Sequence, residues 1–252
     1  MNGIKIGRWF IMFCKNDEKE FKQMQIQYKY QWGINNPLYS GGGLYDQEGN
    51  QKKIGKWVEL DDEFGYYKYI NYSGQYNMKG MKIGRWDIMY RKYNEKEDQQ
   101  MQIQYKYKCG INNPFHRGGG SYDQEGNQKK IGKWVELDEQ FLNFKQVTYN
   151  GEYNLNGMRV GKWDIMYCMK DEQEYKQIIK GNIHKNICSG SGFYDNEGNQ
   201  KKIGKWIELD QSFVWNNVIT QIGEYNMKGQ KEGIWVEMGI ENQNKGETYY
   251  QN

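Results

Sequence analysis

The residues best able to do chemistry are acidic turns, scattered thiols and imidazoles, and a dense set of aromatic rings. Asp123-Gln124-Glu125-Gly126-Asn127 recurs at Asp46 to Asn50 and at Asp195 to Asn199, and so many oxygens in a turn suggest calcium. An EF-hand loop, however, needs further acidic ligands and a bidentate Glu at its twelfth position, a place taken here by the run into Trp134. The simpler expectation is an Asx-type turn. Cys14, Cys109, Cys168 and Cys188 show no C-x-x-C spacing, and His116 and His184 are isolated, so neither a disulfide framework nor a zinc site is expected. The glycine runs Gly41-Gly42-Gly43 and Gly118-Gly119-Gly120 precede strand-like rather than helical sequence and lack phosphate-binding geometry. No nucleophile elbow, P-loop or H-E-x-x-H is present, and carboxylates recur in every repeat where an active site would be unique. The chain is expected to be no enzyme and to need no cofactor or metal.

The aromatics are different, because they are periodic. Trp9, Trp57, Trp86, Trp134, Trp163, Trp206 and Trp235 occupy one motif position, and seven of the nine tryptophans are thereby accounted for. Trp9, Trp86 and Trp163 are spaced by 77 residues, and Trp163 to Trp235 is 72. All but Trp9 follow a Gly-x-Tyr element, whose tyrosines are Tyr45, Tyr76, Tyr122, Tyr153, Tyr194 and Tyr225. Rings brought together by repeats could cradle a choline or sugar through cation–π or stacking contact, as in bacterial cell-wall-binding modules. The alternative is that the same rings are the core.

Two units alternate to position these rings. One reads Gly-x-Tyr-Asn, a turn, then Gly-Lys/Arg-Trp-Asp-Ile-Met-Tyr. The other reads Gly-x-Tyr-Asp-x-Glu-Gly-Asn-Gln-Lys-Lys-Ile-Gly-Lys-Trp-Val/Ile-Glu-Leu. Helix is disfavoured, since the apolar set is aromatic and β-branched without i, i+3, i+4 spacing. In Gly84 to Tyr90, alternation would put Trp86, Ile88 and Tyr90 on one face and Arg85, Asp87 and Met89 on the other. Met101 to Lys108 and Val147 to Tyr153 read as further strands, while Gly126 and Asn156-Gly157 mark turns. The expected fold is all-β: an elongated antiparallel β-hairpin repeat array, a single-layer meander or solenoid-like. It is read as one continuous array over 1–252, with super-repeats near 1–73, 74–150, 151–222 and 223–252. A β-propeller fits less well, as three copies plus fragments do not close a ring conveniently. A Trp/Tyr ladder would replace a globular core, with the glycine before each Lys/Arg-Trp leaving room for the next ring.

Gly-x-Tyr-Asp/Asn-x-x-Gly-x-Lys-x-Gly-x-Trp resembles the MORN repeat, and more closely its variant in bacterial antitoxin-like proteins. The match covers seven units from Gly3 to Met238, although the Trp interval alternates between 29 and 48 residues, once 43, instead of the regular MORN period. The Gly-Lys-Trp-Ile/Val-Glu-Leu blocks are also similar to those of long ciliate tandem-repeat proteins, and the absence of alanine and abundance of Asn, Lys and Gln fit such an origin. The resemblance implies elongated single-layer β-sheet modules that serve as scaffolds and interaction surfaces, sometimes at membranes or cytoskeleton. The expected setting is intracellular, at cytoskeleton or cilium, with proteins or copies of itself as partners. A net charge of +3 with interspersed signs gives no basis for nucleic-acid binding. No apolar run approaches a membrane span, and nothing in the residues supports membrane-surface contact. Met1 to Trp9 aligns with Met78 to Trp86, so the sequence opens within a unit. Either the chain is a piece of a longer polypeptide or another copy supplies the strand beside Trp9. An unpaired edge there, and one near Thr248-Tyr249-Tyr250, would invite head-to-tail pairing into filaments.

Overall fold

A computed structural model describes residues 3–13, 22–23, 25–26, 39–65, 68–91, 99–100, 102–103, 116–142, 145–168, 176–177, 191–210, 219–239 and 244–251. Among these residues all regular structure is β, and neighbouring strands are antiparallel. They group into two compact units, Met1–Gln102 with Arg117–Lys130, and Ile103–His116 with Ile131–Asn252.

The first unit holds a meander of β1 (Gly7–Phe10), β2 (Gly42–Tyr45), β3 (Lys53–Leu60), β4 (Tyr69–Tyr76), β5 (Lys82–Arg91) and β6 (Gly119–Tyr122), each hydrogen-bonded to the next. The second follows the same pattern with β7 (Lys130–Leu137), β8 (Gln146–Tyr153), β9 (Arg159–Cys168), β10 (Ser191–Tyr194), β11 (Lys202–Leu209), β12 (Thr220–Tyr225), β13 (Lys231–Met238) and β14 (Asn244–Tyr250). Both are hairpin arrays, as the repeat predicts. The meander follows from turn chemistry. Asn77 Oδ1 accepts from the backbone N–H of Lys79 and Met81, and Asn154 and Asn226 repeat this at their own turns. A side chain that satisfies two turn amides fixes a tight reversal without helical hydrogen bonds.

Strict alternation does not hold at the far end of β5. Ile88, Met89 and Tyr90 are all buried, so both faces of the strand are covered there. The equivalent Ile165 and Met166 of β9 are buried too. In the second unit Val147, Ile165 and Ile207 form an aliphatic cluster flanked by Tyr149, Tyr167, Leu209 and Ile222. Of the Met101 to Lys108 segment only Gln102–Ile103 is described, as a short strand. The rest lies outside the described residues, with Cys14, Cys109, Cys188 and His184.

Candidate functional site

The aromatic positions form one motif, repeated in both units. In every pairing between successive hairpins, Gly-x-Tyr runs antiparallel against Gly-x-Trp. Gly55 opposes Tyr76 while Trp57 opposes Gly74. The same exchange joins Gly7/Tyr45 with Trp9/Gly43, Gly84/Tyr122 with Trp86/Gly120, Gly132/Tyr153 with Trp134/Gly151, Gly161/Tyr194 with Trp163/Gly192 and Gly204/Tyr225 with Trp206/Gly223. Each ring thus lies opposite a residue with no side chain, and the rings meet on the diagonal.

Twelve ladder contacts are edge-to-face, with interplanar angles of 77–89°. Within a hairpin the centroids are 5.0–5.3 Å apart, as for Tyr76–Trp86 and Tyr153–Trp163. Between hairpins they are 6.1–6.4 Å apart. Such pairs contribute about 0.5–1.5 kcal/mol each beyond burial, so a thin sheet gains from its ladder what a globule gains from its core.

The ladder corrects one expectation. The glycine that receives a ring is not the one preceding Lys/Arg-Trp but the one two residues before Tyr. A Cβ on Gly74 would lie 2.1 Å from the Trp86 indole, and Gly43, Gly151, Gly192 and Gly223 are covered in the same way by Trp57, Trp163, Trp206 and Trp235. The glycine of Gly-Lys/Arg-Trp serves the backbone. Gly84 has φ +59°, at a bulge where the pairing jumps from Gln75↔Ile83 to Ser73↔Asp87. A left-handed residue lets the extra length fold outward, which glycine does at least cost.

Cations complete the site. Lys82 Nζ stands 4.0 Å from the Trp86 ring, Lys231 Nζ 3.8 Å from Trp235, Lys53 Nζ 4.9 Å from Trp57, Lys202 Nζ 4.8 Å from Trp206 and Arg159 Cζ 4.6 Å from Trp163. A carboxylate on the same face anchors them. Glu59 pairs with Lys53 and Lys82 and accepts from Tyr76 Oη at 2.6 Å. Glu208 does the same with Lys202, Lys231 and Tyr225, and Glu136 with Arg159 and Tyr153. Burial raises the Glu59 and Glu208 carboxyls, but the lysine and tyrosine hydrogen bonds and the second lysine outweigh it, leaving both below the ordinary value. Burial and the adjacent carboxylate push the Tyr76, Tyr153 and Tyr225 hydroxyls up. The aromatic pattern alone did not reveal these cations, yet a basic residue stands four before the tryptophan in all seven motifs.

The singled-out residues separate by exposure. Trp57, Trp86, Trp134, Trp163, Trp206, Trp235, Tyr45, Tyr76, Tyr153 and Tyr194 are buried, and Tyr122 and Tyr225 are half-buried. Trp9 is 44 % exposed. It lies on β1, which among the described residues pairs only with β2. Ile4, Ile6, Phe10 and Met12 are exposed beside it. The acidic turn at Asp195 is Asx-type: Asp195 accepts from the backbone N–H of Asn199 and of Lys201, so its carboxylate is spent on the turn, and Asp46 Oδ1 accepts from the backbone N–H of Lys52, whereas both carboxylate oxygens of Asp123 are buried without a hydrogen-bond partner. Among the described residues no cluster of three His, Cys, Asp or Glu is arranged to hold a metal ion, and no helix is long and apolar enough to cross a membrane. No family model matches the chain, and neither a curated protein nor a solved structure matches it.

Proposed function

We propose that the chain is a structural, non-catalytic repeat module of MORN-like kind that engages another polypeptide by strand pairing at the β1 edge. One observation carries this reading. Six of the seven motif tryptophans are buried, while Trp9 and Phe10 are exposed on β1, which among the described residues pairs along one edge only, with Ile4, Ile6 and Met12 exposed just before and after it. An open, apolar strand edge is a template for another chain. The occupant that fits is a Gly-x-Tyr strand, whose glycine would receive Trp9 as Gly74 receives Trp86.

The alternative of a small-ligand or glycan site has less support. The ring faces that would stack on a choline or sugar already carry the chain's own Lys53, Lys82, Arg159, Lys202 and Lys231.

A peptide of residues 69–77 (Tyr-Ile-Asn-Tyr-Ser-Gly-Gln-Tyr-Asn) tests the proposal. Added to the protein, it should slow amide exchange in β1 and shift Trp9 emission, read by difference against Trp9→Phe. The same peptide with threonine for Gly74 should do neither. An edge that ignores both peptides, or that takes both equally, removes the reading.

A further inference from the structure

The β14 edge departs from the repeat at two positions. Its register against β13 is the usual one: Gly233 opposes Tyr250 and Trp235 opposes residue 248. The Trp235–Tyr250 contact is 6.3 Å and edge-to-face, like Trp86–Tyr122 at 6.4 Å. Tyr250 is therefore a ladder tyrosine, and residue 248 is the glycine position. In the six other pairings that position holds Gly43, Gly74, Gly120, Gly151, Gly192 or Gly223; here it is Thr248.

The consequence is steric. In the strands most like β14, a Cβ on Gly43 would come within 2.4 Å of the Trp57 ring, and one on Gly192 within 2.2 Å of Trp206. Non-bonded carbons need about 3.5 Å. Thr248 carries that Cβ and two further heavy atoms, so no Gly-x-Trp strand can dock on β14 as Trp57 docks on β2. The second departure agrees. Asp46, Asp123 and Asp195 follow the ladder tyrosines of β2, β6 and β10 and start the turn into the next Trp strand; Gln251 follows Tyr250. An amide side chain replaces the carboxylate that in Asp195 accepts from Asn199 and Lys201.

We infer that β14 is a built-in terminator: Thr248 in the glycine position bars any Gly-x-Trp strand, including β1 of a second copy, from this edge. The module's strand-pairing surface is then one-sided. β1 can receive a Gly-x-Tyr strand, but the chain's own β14 cannot supply one, so head-to-tail growth is blocked by one side chain. The part concerning a second copy rests on the proposal that β1 accepts such strands; the closure of β14 does not.

The experiment separates the two. Wild type, Thr248→Gly and Thr248→Ala are each mixed with a Trp-strand peptide of residues 82–90, and amide exchange in β14 is measured beside light scattering of the protein alone. Alanine keeps the Cβ, so only Thr248→Gly should take the peptide, at least ten-fold more tightly than the other two. It should also form species whose mass grows with concentration and that vanish with Trp9→Ala. Peptide binding by Thr248→Gly without self-association upholds the terminator and removes the β1 proposal. Equal binding by all three proteins, binding by none, or head-to-tail assembly of wild type overturns the terminator.

Discussion

Gly151→Ala is the sharpest probe of the ladder. The new Cβ would sit 2.1, 2.2 and 2.5 Å from Cδ2, Cε2 and Cγ of Trp163. Carbon atoms pack at about 3.5–4.0 Å, so the indole must retreat by roughly 1.5 Å. That opens its 5.3 Å contact with Tyr153 and its 6.1 Å contact with Tyr194 and moves it from beneath Arg159. Overpacking of this kind costs about 1–3 kcal/mol, and a weakened aromatic pair adds about 0.5–1.5 kcal/mol. The expected loss is about 2–4 kcal/mol, a large share of the roughly 5–15 kcal/mol that stabilises a domain. Urea unfolding followed by both far-ultraviolet circular dichroism and tryptophan emission measures it. A double-mutant cycle with Trp163→Leu isolates the cause: without the indole, Gly151→Ala should cost little, and the coupling should exceed about 1 kcal/mol. Gly132→Ala is the control. It has φ +65° with nothing within 4 Å of the added Cβ, so it should lose about 1–2 kcal/mol from backbone strain alone and be additive with Trp163→Leu. A Gly151→Ala midpoint at the wild-type value, or simple additivity in the first cycle, would refute the ring-on-glycine account.

Three further outcomes are expected. Arg159→Met removes the 2.7 Å bond to Glu136 and the bonds to Tyr153 and Tyr194; it should lower stability by about 1–3 kcal/mol in the same urea assay, with Arg159→Lys recovering part, as lysine holds this place in the other copies. Glu59 and Glu208 have depressed folded-state pKa values, so their contribution is present above the ordinary 4.5 and is lost as pH falls through the folded value; urea midpoints should drop on acidification below 4.5, and Glu208→Gln should flatten that slope. Gln51, Gln128 and Gln200 hold φ of 57°, 58° and 57°; Gln128→Gly should relieve about 1–2 kcal/mol of left-handed strain against about 0.4–1 kcal/mol of added unfolded-chain freedom, for a net gain of about 0.5–1 kcal/mol in thermal or urea unfolding.

The hairpins were legible in the sequence because the forces that make them act over a few residues. Asn154 closing its own turn, Gly-x-Tyr and Gly-x-Trp flanking it, and aromatics without helical spacing all specify strand, reversal and strand. The ladder as a class of core was legible too, since Trp and Tyr recur at fixed distances from each turn. What the tertiary structure decided is which groups meet across strands. Gly74, and not the glycine before Lys/Arg-Trp, is the one that a ring covers, while Gly84 serves a bulge; both depend on a register between strands that the chain brings together only on folding. The placement of Lys82 over Trp86, paired with Glu59, depends on side chains from two strands converging on one face. A basic residue four before each tryptophan was visible, but not the ring face that it would cover. Burial separated Trp9 from six tryptophans of identical motif, because exposure depends on a neighbouring strand and not on the residue's own sequence. Thr248 reads as an ordinary strand residue until its register against Trp235 places it where every other pairing has glycine.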